Sequence, residues 1–255
     1  MLTKTKKIRR QNSPFGKNLL PAAALGVSLF AASIASAEAP DQGTTEPIWP
    51  TKGWQMSSPE EQGIDSKELA NLIDFGTTHS FDSLLVVRHG KIVVEAYYAP
   101  YTAGIPHDIY SATKAVISTL IAIASKDGLL DSTSHRVLDF FDPRSIANVD
   151  DRKEAITVQS LLDMTSGLEW TELLGGRQDS RFEMERSPDW VKFILDRPMS
   201  SAPGNAFNYN SGNPQLLSAI IAKLTGMSAL DYAKAKLFGP LGINDVFWRH
   251  DPQGI

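Results

Sequence analysis

The segment Ala115–Ala124 is apolar almost throughout, with Ser118 and Thr119 as its only polar residues. Its pattern predicts a helix over residues 111–126, which ends just before Gly128. A helix that is apolar nearly all round has to be buried on most of its surface. We therefore expect this helix to lie in the interior of the fold.

Two strands, Ser83–Arg88 and Lys91–Tyr98, precede that helix and are joined by the two-residue turn His89-Gly90. Residues Leu84–Val87 are apolar on both faces, which predicts cover on both sides of the sheet. All other predicted elements are helices, placed over residues 66–75, 157–164, 213–226 and 228–238, with one more beginning at Ser187-Pro188-Asp189.

This order of elements predicts an α+β fold, in which an antiparallel sheet packs with a helical cluster. Two strands alone do not form a stable sheet. Either the tryptophan-rich segment at residues 38–60 adds strands, or the C-terminal strands of the sheet are missing. We expect residues 38–60 to form an extended lead-in whose Trp49 and Trp54 pack against the body, and residues 61–255 to form one catalytic domain.

The first 37 residues have the three parts of a secretory signal peptide. A basic region comes first, Leu19–Ala35 is apolar, and Ala35-Ser36-Ala37 matches an A-x-A cleavage site, so the mature chain would begin at Glu38. An uncleaved anchor is the alternative, although the apolar segment is short for a membrane span. Arg9-Arg10 leaves twin-arginine export open beside the general secretory route. We expect a periplasmic or secreted protein without a stable membrane span after cleavage.

Charge and cysteine content narrow the possible functions. The formal net charge is −4, and it would become −10 after cleavage because six basic residues and no acidic ones are lost. An acidic exported chain is a poor candidate for binding nucleic acid. The chain contains no cysteine, which rules out disulfides and thiolate nucleophiles. No phosphate-binding loop or metal-ligand spacing is present, so no metal or cofactor is expected.

The tetrapeptide Ser111-Ala-Thr-Lys114 carries the clearest chemistry. A serine hydroxyl becomes a good nucleophile when a neighbour accepts its proton, and a helical lysine three residues later lies on the same face. Partial burial would favour the neutral amine, which can act as a base. The structural alternative is a helix-capping serine and a solvated lysine, because a chain of this composition contains about one such match by chance.

Tyr209 lies in the loop Phe207–Gly212, directly before a predicted helix. A phenol there can pass a proton between Ser111, Lys114 and a leaving group, although a tyrosine in such a loop is often an ordinary surface residue. His107, four residues before Ser111, is another possible base, but no G-x-S-x-G surrounds the serine.

Four segments together resemble the β-lactamase-related serine hydrolases: Ser111–Lys114, Tyr209-Asn210-Ser211, Leu161–Gly167 and Phe238–Ile243. The resemblance covers roughly residues 48–255. It implies that Ser111 is the acylated nucleophile, that Lys114 is its base, and that Tyr209 activates the serine or protonates the leaving group. Ser211 takes the place of the asparagine of class C β-lactamases, which contacts substrate. Tyr-x-Ser is similar to the esterase and 6-aminohexanoate-dimer hydrolase branch.

The third motif of that family, Lys or His followed by Thr/Ser-Gly, has no counterpart in the chain. We therefore expect a C-terminally truncated member with low stability and weak activity. The leading hypothesis is an exported serine hydrolase that cleaves a small amide or ester through an acyl-enzyme. The alternatives are a non-catalytic ligand-binding protein of the cell envelope and an inactive fragment. The sequence does not predict an oligomeric state.

Overall fold

The computed structural model describes residues 49–172 and 179–255. The predicted signal peptide and the first part of the lead-in lie outside these residues. The strands are β1 (Gln55–Met56), β2 (Ser83–Arg88) and β3 (Lys91–Tyr97), and the helices are α1 (Ser66–Thr78), α2 (Thr113–Lys126), α3 (Asp151–Glu154), α4 (Val158–Leu162), α5 (Ser180–Arg186), α6 (Trp190–Asp196), α7 (Gly212–Thr225) and α8 (Ala229–Ala233), which continues into a π-helical turn at Lys234–Phe238.

The three strands form one sheet in the order β1-β3-β2. β2 and β3 are antiparallel, and His89 and Gly90 in the turn between them have positive φ angles, as a tight hairpin turn requires. β1 runs parallel to β3, so the expectation of a purely antiparallel sheet was wrong. The reason is that β1 is joined to β3 by a long connection made of α1 and β2, and such a connection, unlike a short hairpin turn, allows two strands to run in the same direction.

One face of β2, an edge strand, is solvent-exposed in the described part of the chain. Leu84 and Val86 are half-buried, whereas Leu85 and Val87 are 55% and 41% exposed. The expectation of cover on both faces was therefore wrong for β2, because alternate residues of a strand point to opposite faces and only one set points inward. In β3, the adjacent residues Ile92 and Val93 are both buried. Trp49 and Trp54, which were expected to pack against the body, are also exposed, at 71% and 48%.

The main core lies between the helices, where α2 packs against α7. Ile117, Leu120, Ile121 and Ala124 of α2 are buried, a spacing that forms one stripe along a helix. The opposite side of α2, which includes Ser118 and Thr119, is exposed, so the expectation of burial nearly all round was correct for one face only. The more completely buried helix is α7, in which every residue from Leu216 to Ile221 is buried.

The loop after α4 fixes the start of α7. Asn213 is fully buried and its side-chain oxygen accepts a hydrogen bond from the Ser166 hydroxyl at 3.0 Å. Asn210 accepts hydrogen bonds from the backbone N–H groups of Gly212 and Asn213 at 2.7 and 3.2 Å. These bonds satisfy N–H groups that a helix N-terminus leaves without partners. They also hold the preceding residues in place.

Among the described residues, no single helix has the length and apolar composition needed to cross a membrane. The pair Gly212–Thr225 and Ala229–Phe238, bent by 72°, meets that requirement by length and composition alone when the two helices are taken together.

Candidate active site

Ser111 lies in the 3-10 turn Tyr110–Ala112, which leads directly into α2. The helix predicted over residues 111–126 thus begins as an α-helix two residues later, at Thr113. Tyr110 has a φ of 43°, in the left-handed region that non-glycine residues seldom occupy. Such a conformation costs about 1–3 kcal/mol and is concentrated at functional sites. The 3-10 turn still brings the two side chains together, since the Lys114 amine lies 3.2 Å from the Ser111 hydroxyl.

Tyr209 contacts the same serine from the other side of the site. Its phenolic oxygen lies 2.5 Å from Ser111 Oγ, although the two residues are 98 positions apart in sequence. Lys114 Nζ also lies 4.7 Å from the centroid of the Tyr209 ring. The three residues singled out from the sequence as candidate catalytic groups are therefore in mutual contact, with Lys114 and Tyr209 half-buried and Ser111 exposed.

Ser211 completes the group and connects it to a carboxylate. Lys114 Nζ lies 3.2 Å from Ser211 Oγ, and Ser211 Oγ donates a hydrogen bond of 2.6 Å to Glu172 Oε1. The other carboxylate oxygen accepts from the Ser211 backbone N–H at 2.8 Å and from the Trp170 indole N–H at 2.7 Å. The Ser211 hydroxyl is thus bonded to both Lys114 and Glu172. The expected contact between Ser211 and substrate remains a prediction.

Sequence reasoning missed Glu172. It lies 39 residues before Ser211 and belongs to no spaced motif, so no pattern in the sequence marks it. An indirect signal was the position of Glu172 five residues after the segment Leu161–Gly167, one of the four segments that carry the family resemblance. The chain that follows this segment passes next to the nucleophile.

These side chains line a cavity of about 850 Å³. Its volume falls within the range of small-molecule sites. The wall on the side of residues 238–248 is apolar and aromatic, whereas α5 and Arg249 contribute charged groups. The other lining residues include Tyr110, Val116, Arg181, Phe182, Glu185, Phe238, Phe247, Trp248 and Arg249.

His107 lies at the rim of this cavity but does not form the Ser–His pair considered from the sequence. Its Nε2 contacts the Asp82 carboxylate at 2.7 Å, and its Nδ1 contacts the Asp108 carbonyl oxygen at 3.1 Å. These hydrogen bonds, with that to the Asp108 carbonyl contributing most, raise the pKa of His107 above its usual 6.5. Both ring nitrogens therefore have partners other than Ser111.

The part of the chain that the structure describes contains no group of three or more His, Asp or Glu side chains arranged to hold a metal ion. The hydrogen-bonded group around Ser111 offers a hydroxyl, an amine and a phenol, with a carboxylate joined to the amine through Ser211.

Comparison with known proteins identifies the class to which this fold belongs. The family model described as Beta-lactamase matches residues 80–255, and the chain belongs to that family. This result confirms the family resemblance and the α+β, β-lactamase-like fold expected from the sequence, with the mixed sheet as a minor difference.

Individual relatives share the fold at low sequence identity. Protein flp of Staphylococcus aureus (strain COL) is 27% identical over 173 residues, which are 62% of this chain and 33% of flp. The structure of an octameric penicillin-binding protein homologue from Pyrococcus abyssi superimposes with a TM-score of 0.56 at 23% identity, over 71% of this chain and 44% of that chain. A 6-aminohexanoate-dimer hydrolase candidate from Bacillus anthracis gives a TM-score of 0.55 at 21% identity, over 68% and 47%.

The present chain thus spans about a third of the length of the curated relatives that it matches. The solved structures establish the shared fold.

Proposed function

We propose that this chain is a serine hydrolase that cleaves an amide or ester bond of a small molecule through an acyl-enzyme on Ser111. The observation that carries the proposal is the position of Ser111 Oγ, which lies within hydrogen-bond distance of both the Lys114 amine and the Tyr209 phenol. A hydroxyl with a base in contact is the arrangement that nucleophilic catalysis requires. The cavity in front of it has room for a small substrate.

The reaction has two steps on the same group. Lys114 accepts the proton of Ser111 while Oγ attacks the substrate carbonyl carbon, and the proton passes through Tyr209 to the nitrogen or oxygen of the leaving group as its bond to carbon breaks. Water then attacks the resulting serine ester. A proton of that water passes through the same groups to Ser111 Oγ as the ester bond breaks, so that the acid is released and the Ser111 hydroxyl is restored.

An active-site-directed probe tests this proposal. A fluorophosphonate or a fluorescent penicillin should label the wild-type chain, with an intact-mass increase that matches one acyl or phosphonyl group. Labelling should disappear in Ser111→Ala. Ser125→Ala is a matched control, because Ser125 is an exposed serine on the same helix outside the cavity, and it should label at the wild-type rate.

Two further variants separate the roles of the neighbours. Lys114→Ala and Tyr209→Phe should each slow labelling by about 10²–10⁴-fold, the usual contribution of a positioned acid or base. A Lys114→Ala variant that labels at the wild-type rate would remove the lysine from the mechanism. Saturable binding of the penicillin without any mass increase would instead favour a non-catalytic binding protein.

We also propose that the protein acts in the periplasm or outside the cell, because residues 1–37 have the pattern of a signal peptide. Expression of the full chain should yield an exported product whose N-terminus is Glu38 on sequencing. Retention of the first 37 residues on a product that stays in the cytoplasm would contradict this localisation.

A further inference from the structure

We propose that Glu172 is a positioning residue for the Lys114 base and that it acts through the Ser211 hydroxyl. This inference rests on the proposed function, since it concerns how the base is prepared to accept the proton of Ser111. The observations that carry it are the two consecutive contacts from Lys114 to Ser211 and from Ser211 to Glu172.

The direction of each hydrogen bond follows from counting protons. A carboxylate can only accept, and a serine hydroxyl has one hydrogen to donate. At 2.6 Å from Glu172 Oε1, the Ser211 hydrogen is committed to the carboxylate, so Ser211 Oγ can only accept from Lys114. One Lys114 N–H therefore points to Ser211, and in the neutral form that the proposed mechanism requires, the amine lone pair is left for the Ser111 hydroxyl hydrogen.

The carboxylate is itself held in place. Its Oε2 accepts from the Ser211 backbone N–H and from the indole N–H of Trp170, a side chain that is 5% exposed. Three donors thus converge on Glu172, and it has no ion-pair partner at salt-bridge distance among the described residues. This fixed orientation is what a group that aims a catalytic base requires.

Glu172 also contributes at the moment of proton transfer. When Lys114 takes the Ser111 proton it becomes an ammonium, and a negative charge two hydrogen bonds away stabilises that form in a half-buried site. Glu172 thus corresponds to the third member of a catalytic triad, which orients the base and stabilises its protonated form. Here a serine hydroxyl stands between the carboxylate and the base.

Glu172→Gln tests the inference, because the amide has the shape of the carboxylate but can reverse the direction of the hydrogen bonds that link Glu172, Ser211 and Lys114. With the amide oxygen facing the two N–H donors, the NH₂ group faces Ser211, whose hydrogen then turns to the Lys114 lone pair and competes with Ser111. We expect the limiting rate of fluorophosphonate acylation to fall by about 10- to 100-fold, as for a misaligned catalytic group. The probe concentration for half-maximal rate and the thermal midpoint should stay unchanged.

Glu169→Gln is the matched control. Glu169 is an exposed carboxylate three residues earlier, outside the cavity, with a single contact of 3.4 Å to Arg197, and its removal should leave the acylation rate unchanged. A double-mutant cycle supplies the second readout. If Glu172 acts through Ser211, Glu172→Gln should slow acylation by no more than about threefold in a Ser211→Ala background, because coupled residues are not additive.

The outcomes separate the two proposals. A wild-type chain that is not labelled refutes the proposed function, and this inference with it. A labelled wild type with an unchanged rate in Glu172→Gln, or with losses that multiply fully in the double variant, overturns the role of Glu172 alone. If Glu172→Gln lowers the thermal midpoint, Ser211→Ala alone decides, since it breaks the same link without changing the carboxylate. A wild-type rate in Ser211→Ala would overturn the inference.

Discussion

Gly167 connects the loop after α4 to the segment that carries Trp170 and Glu172, and replacing it with alanine should be one of the costliest small changes in the chain. Its φ is +76°, and an added Cβ would lie 2.4 Å from the carbonyl oxygen of Ser201. The Gly167 carbonyl also accepts hydrogen bonds from the backbone N–H groups of Ser200 and Ser201 and from the Ser200 hydroxyl. After the substitution, the backbone at position 167 therefore has to move away from Ser200 and Ser201, to which it is hydrogen-bonded.

Gly204 offers a comparison that isolates the effect of that contact. Its φ is +83°, close to that of Gly167, but a Cβ at this position would meet nothing within 4 Å. Left-handed backbone costs an alanine about 1–2 kcal/mol, and the loss of chain entropy in the unfolded state offsets about 0.4–1 kcal/mol of it. Gly204→Ala should therefore destabilise the protein by about 0–1.6 kcal/mol.

Gly167→Ala carries the same backbone cost together with the displacement. A shift of about 1 Å is needed to reach ordinary van der Waals distance, and it weakens three hydrogen bonds that contribute about 0.5–1.5 kcal/mol each. We expect a total loss of about 3–5 kcal/mol. Acylation of Ser111 should also slow, because the loop carries Glu172 into the site.

Urea unfolding followed by tryptophan fluorescence measures both variants against wild type. The quantity to compare is the difference between the free energies of unfolding of the two variants, because both values are extrapolated to zero urea in the same way. Equal midpoints for Gly167→Ala and Gly204→Ala, with unchanged slopes, would refute the reasoning, since the contact with Ser201 would then carry no cost.

Two other predictions concern charged groups. Lys153 is fully buried and its amine donates to the carbonyl oxygens of Ala147 and Leu195, both at 2.7 Å; Lys153→Met should lower the free energy of unfolding by about 1–3 kcal/mol in urea titrations. Burial lowers the pKa of Lys153, so the wild type should gain stability relative to that variant as pH rises toward the unfolded value near 10.5, and a flat difference would contradict this. The pKa of His107 is raised by the Asp108 carbonyl and the Asp82 carboxylate. Asp82→Asn should lower the imidazole midpoint measured by NMR, and the thermal advantage of wild type over this variant should be full below pH 6.5 and vanish as pH rises through the raised pKa. A midpoint unchanged by Asp82→Asn would refute the pairing.

Short-range patterns predicted local structure well, because they depend on bonds between neighbours in the chain. The turn at His89-Gly90 lies where the sequence placed it, and α1 begins at Ser66 as predicted. The spacing from Ser111 to Lys114 brings their side chains together at the start of a helix whether the first turn is 3-10 or α. These features need no knowledge of distant parts of the chain.

Features that depend on packing between distant segments were predicted less well. The direction of β1 depends on which strand it pairs with, and the exposure of Leu85 and Val87 depends on which elements cover β2. No residue in these strands carries that information. The same holds for the exposed side of α2, because apolar content indicates that a helix is buried but not how many sides have partners.

The active site combines both kinds of information. Ser111 and Lys114 could be identified from their spacing, and Tyr209 from its position before a helix, whereas Ser211 was found through a family resemblance. Glu172 was not found, because its contact with Ser211 exists only after the loop following α4 has closed against the start of α7. Hydrogen bonds between neighbours along the chain bring Ser111 and Lys114 together. The burial of α7 against α2 then brings Tyr209 and Ser211 to this pair, and Glu172 reaches it through Ser211.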